Sequence, residues 1–186
     1  GVVQLELRLG RIGEAIKQTY AQEEFLRQSQ GLLALTLSIY TPLIDFYAYL
    51  GDFDSAHSAL NTARGMLASP LDQFLEFNAA IVHARENDID AARASLDQAR
   101  EVMNQFQLNY LEAQVNLIEA AINEAQGDFP AMADHCKAVI ELTKQSVFAN
   151  DDQVSLSQIY AQMAMAQIKS NDLNAAEKSI ETGFRL

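Results

Sequence analysis

A short phrase of alternating small, polar and apolar positions recurs five times along the chain, each time opening an alanine-rich run. Its copies are Gly10-Arg11-Ile12-Gly13-Glu14-Ala15, Gly51-Asp52-Phe53-Asp54-Ser55-Ala56, Asn87-Asp88-Ile89-Asp90-Ala91-Ala92, Gly127-Asp128-Phe129-Pro130-Ala131-Met132 and Asn171-Asp172-Leu173-Asn174-Ala175-Ala176. Glycine or asparagine tolerates the left-handed backbone that ends a helix. The aspartate that follows in four copies can accept from the free N–H groups of the next helix and suits the positive end of its dipole. Each phrase therefore predicts a tight turn between two antiparallel helices. Weaker breaks complete the pairs. Ser69-Pro70-Leu71-Asp72 offers a capping serine with proline at the first helical position, Asn109-Tyr110-Leu111-Glu112 repeats the capping-box pattern, and Asn150-Asp151-Asp152-Gln153 gives a polar break. The expected helices run near 2–9, 12–29, 32–50, 53–68, 71–85, 89–106, 109–125, 129–147, 153–169 and 173–184.

Only three prolines and eight glycines punctuate 186 residues, so the expected fold class is all-α. Aligned on the turns, one small position of the first helix is Ile44, Ala80, Ala120 and Ala164. An early position of the second helix is Ala15, Ala56, Ala92, Met132 and Ala176, followed one turn later by Leu60, Leu96, Cys136 and Ile180, with Thr19 the exception. Small residues at such points let helices approach closely. Pro42 falls inside an apolar run and predicts a kink, because it deprives the Ser38 carbonyl of a donor.

The turn anchors lie 41, 36, 40 and 44 residues apart. Tyr40, Leu43, Ile44, Tyr47, Gly51, Asp52, Phe53, Ala56 and Ala63 carry a pattern that resembles the tetratricopeptide repeat. The units are longer than the usual length of about 34 residues. In this they are similar to the arrays of large bacterial transcription activators of the maltose-regulator type and of peptide-pheromone receptors. The pattern is broken by Glu76 and Asn116, where a large apolar residue is expected, and by His83, Asn123 and Gln167, which replace an aromatic. The resemblance implies a right-handed α-α superhelix of about five antiparallel helix pairs in one array, with units near 1–29, 32–68, 71–106, 109–147 and 153–186. Neither end carries a polar capping unit, so the expectation is a piece of a longer regulatory protein.

Such arrays line a concave groove with the first helix of each pair. By resemblance the groove would be lined by Ser38, Thr41, Asp45 and Tyr49, then Phe74, Phe77, Ile81 and Arg85, then Gln114, Leu117 and Glu124, and finally Gln158, Met165 and Lys169. For Phe74 and Phe77 the competing reading is ordinary packing between helices. With only Arg85 and Lys169 basic, a clamp for acidic tails is disfavoured, and apolar anchors are favoured.

Charge sharpens the choice of partner. Thirteen basic against twenty-five acidic side chains give a formal charge of −12, which opposes binding to nucleic acid and to anionic membranes and favours apolar or basic protein partners. No apolar stretch reaches the roughly 18 residues of a membrane span. One cysteine, Cys136, and the absence of a leader-like start predict a reducing, cytoplasmic setting. No phosphate-binding loop, nucleophile elbow, paired cysteine motif or zinc-protease motif is present, so the chain reads as a non-enzyme without cofactor. His57, His83 and His135 are far apart in sequence, and no metal is expected. The expected function is a protein- or peptide-binding module of a larger signalling protein. Alternatives are a sensor for a small ligand or signalling peptide, and a spacer that could pair as a homodimer.

Overall fold

The computed structural model describes residues 6, 10–28, 33–67, 69–145 and 156–186. Among these the chain is all-helical and contains no strand. The helices are α1 (Ile12–Gln28), α2 (Leu33–Leu50), α3 (Phe53–Met66), α4 (Glu76–Arg85), α5 (Ile89–Phe106), α6 (Glu112–Gln126), α7 (Phe129–Gln145), α8 (Leu156–Lys169) and α9 (Leu173–Phe184). The chain divides into two compact units, Gly1–Val102 and Met103–Leu186. The expected helix over 2–9 lies outside the described residues apart from Glu6, as does the break at 150–153.

The five turn phrases adopt the backbone their residues predict. Gly10, Gly51, Asn87, Gly127 and Asn171 all have left-handed φ values, between 62° and 75°. The four turn aspartates cap as expected: Asp52, Asp88, Asp128 and Asp172 each accept from the N–H three residues on, at 3.1–3.2 Å. The weaker breaks differ from expectation. Leu71–Leu75 and Asn109–Leu111 form 3-10 turns without a side-chain cap, and the α-helices begin only at Glu76 and Glu112. Gln107 supplies a left-handed residue, φ 55°, that nothing in the repeat announces.

In the first unit α2 packs against α1, α3 and α4, and α3 also packs against α4. The core gathers Ala15, Ile44, Ala56, Leu60, Ala63, Leu75, Ala79 and Val82, all fully or nearly fully buried. Pro42 lies inside a helix that continues to Leu50. Glu76, out of place in the repeat pattern, is buried at 9% exposure and pairs with Arg64 of α3. On α5 the buried residues Ala92, Ser95, Leu96, Ala99 and Val102 follow helical spacing.

The second unit packs α6 on α7, α7 on α8 and α8 on α9. Its core holds Ala120, Met132, Cys136, Val139, Ile140, Ile159 and Ala166. A Cβ added at Gly183 would lie 3.0 Å from Tyr160 Cβ, so a larger residue there would push α9 and α8 apart by a few tenths of an ångström. The polar interruptions of the repeat again have partners. Asn116 Oδ1 lies 2.9 Å from His135 Nδ1, and Gln167 Oε1 accepts from Ser179 Oγ at 2.8 Å. Ile180, expected in the core, is 40% exposed, because α9 turns Ala176 and Ser179 inward instead.

Candidate functional site

Helical spacing places Ser38, Thr41, Asp45 and Tyr49 along one flank of α2. Helix α4 packs beside it and contributes Asn78 and Arg85. Asn78 is buried at 3% exposure and lies between two α2 side chains. Its Oδ1 accepts from Thr41 Oγ1 at 3.2 Å, and its Nδ2 donates to Asp45 Oδ1 at 3.4 Å. Satisfying both ends of a buried amide fixes the register of the two helices.

Asp45 is a half-buried carboxyl. Burial pushes its pKa up from an ordinary 3.8 to about 6, against the Asn78 hydrogen bond and the Arg85 charge, which both pull it down. The Arg85 guanidinium in turn lies over the Tyr49 ring, 5.6 Å from its centroid. Tyr49 is 70% exposed. From inside to outside the face thus runs from amide to carboxyl to guanidinium to aromatic ring. It offers a negative group and a cation-backed aromatic platform side by side, a combination suited to a peptide with apolar and basic or amide groups.

Thr41, Asp45, Tyr49 and Arg85, all expected in a groove, are brought together here. Ser38 is exposed, and Phe74 and Ile81 are half-buried. Phe77 is corrected to a packing residue, 6% exposed, because Glu76–Ala80 is buried throughout. In the second unit Gln114, Leu117 and Glu124 are half-buried on α6, and Leu117 packs on the core. Gln158, Met165 and Lys169 are exposed on α8, with Lys169 Nζ 5.9 Å from the Phe129 ring centroid.

Sequence reasoning missed Asn78, although an amide inside Leu75–Ala80 is the kind of buried polar residue that needs a partner. Sequence distance also misled for the histidines. Packing of α3 on α4 brings the His57 and His83 rings to 5.4 Å between centroids, whereas His135 bonds Asn116 at 2.9 Å within the second unit. Cys136 is fully buried, and burial, with the Glu124 charge adding to it, pushes its thiol up to about 11, the inert core residue expected. No helix among the described residues is long and apolar enough to cross a membrane. Compared with known proteins, the chain matches no family model and no curated protein.

Proposed function

We propose that the chain is a protein- or peptide-binding module, and that the α2–α4 face of Thr41, Asp45, Tyr49 and Arg85 is its docking surface. The observation that carries this reading is the exposed Tyr49 ring held under Arg85 beside the Asp45 carboxyl. Tyrosine and arginine are the residue types that most often dominate binding energy at interfaces. A surface tyrosine backed by a cation is pre-oriented, so little side-chain entropy is lost when a partner covers it. In the same reading the helix pairs stack as a right-handed array of the tetratricopeptide kind within a larger regulatory protein. The formal charge of −12 favours an apolar or basic partner segment over an acidic one.

Selection of peptides from a random display library on the 186-residue chain tests the reading. Enriched peptides should carry an aromatic or aliphatic anchor near a basic residue. Their affinity should fall about tenfold or more with Tyr49→Ala, and comparably with Arg85→Ala, while His135→Ala leaves it unchanged. Failure to enrich any peptide, or binding insensitive to both face variants, would refute it.

A further inference from the structure

Away from that face, two imidazoles and a carboxylate converge at the α3–α4 packing. His57 lies in the second turn of α3, His83 in the last turn of α4, and Glu86 is the residue that caps α4. One prospective ligand atom from each lies within 4.8 Å of the other two. His57 Nε2 is 2.9 Å from Glu86 Oε2, and His83 Nδ1 is 3.7 Å from the same oxygen. We propose that His57, His83 and Glu86 form a binding site for a zinc-class divalent cation.

The spacing fits. In a tetrahedral site with bonds of about 2.0–2.1 Å, neighbouring ligand atoms stand roughly 3.3–3.5 Å apart, between the two observed separations. Two imidazoles with one carboxylate match the donor preference of zinc and its neighbours, not the all-oxygen preference of magnesium or calcium. Three protein ligands leave a fourth position for water or a ligand from a partner.

The backbone under the site is held in place. His83 and Glu86, three apart, project from the same side of the helix end. The turn that follows is closed by Glu86 N–H to Val82 O at 2.9 Å, Asn87 N–H to Ala84 O at 3.1 Å and Asp88 N–H to His83 O at 2.9 Å. The side chains of His57, His83 and Glu86 are 34%, 26% and 32% exposed, so an ion can reach them from solvent. An ordinary imidazole–carboxylate pair requires only His57 and Glu86. The second imidazole, turned to the same oxygen from a different helix, is what a metal site adds. Bound there, the ion would clip α3 to the end of α4 and add to the stability of the first unit.

Chelator-stripped chain titrated with Zn²⁺ by calorimetry decides the matter. The expected result is one saturable site per chain, a rise in melting temperature, and no competition from excess Mg²⁺. Glu86→Gln and His83→Ala should each weaken zinc about tenfold or more, while His135→Ala leaves it unchanged. Co²⁺ should develop the visible bands of a four-coordinate site in the parent and lose them in His83→Ala. Glu86→Gln is nearly isosteric at a solvent-reached cap, and circular dichroism verifies that it remains folded. Absence of zinc binding, or binding equal to the parent in the double variant His57→Phe/His83→Phe, would overturn the proposal.

Discussion

The two units are built from the same turn phrase and carry different chemistry. In each, a cation near the end of a first helix sits over an aromatic ring: Arg85 over Tyr49 in the first, Lys169 over Phe129 in the second. The first ring is 70% exposed and adjoins the Asp45–Asn78–Thr41 chain of hydrogen bonds. The second belongs to a half-buried phenylalanine that packs on the core of its own unit. The histidines diverge likewise, with His57 and His83 meeting Glu86 in one unit and His135 bonded to an asparagine in the other. A repeat therefore fixes turns and packing points, while the residues between them are free to differ.

Truncating Phe77 probes that difference most strongly. Phe77→Ala should cost about 3–5 kcal/mol of the first unit's stability, and Leu117→Ala in the second unit clearly less, because Leu117 is only half-buried. Urea unfolding of both variants checks this. A loss of under about 1 kcal/mol for Phe77→Ala would mean that Phe77 is displayed and not packed, restoring it to the docking face.

A middle-sized effect concerns Asp45. The unfolded carboxyl loses its proton near 3.8 and the folded one near 6, so between these values the unfolded state binds fewer protons and stability falls as pH rises. The penalty is absent below about pH 3.8 and complete above about 6. Asp45→Asn should therefore stabilise the protein at pH 8 by at most about 3 kcal/mol, less whatever partial solvation and the lost attraction of Arg85 remove, and should do nothing at pH 3. A difference that is the same at pH 3, 5 and 8 would show that the effect is not proton-linked.

The smallest effects test the likeness of the units and not their divergence. Asp52→Ala and Asp172→Ala each remove one cap of the same geometry, and each should cost about 1 kcal/mol in thermal or denaturant unfolding. A clear inequality between them would show that the turns are not equivalent after all.

Much of this was legible in residues alone. Aspartate after a left-handed glycine or asparagine is a local signal, and every such turn formed where it was expected. Ala56, Ala92, Met132 and Ala176 are buried for the same reason, since a repeat register fixes which side of a helix faces its neighbour. Boundaries without that phrase were misjudged: Ser69 and Asn109 look like caps, yet Ser69 lies just before a 3-10 turn and Asn109 opens one, and each turn delays the α-helix. There the choice rests on packing of the following side chains, which outweighs a single hydrogen bond.

The sequence by itself determined an all-helical chain, its turn positions, its small packing residues and an inert Cys136, because each is set by interactions within a few residues or by one repeating register. Only tertiary structure decided that Asn78 would join Thr41 to Asp45, that Glu76 would be buried against Arg64, and that His57 and His83 would meet across 26 positions of chain. Those pairings depend on the rotation of one helix against another, where a shift of one residue swings a side chain by about 100°.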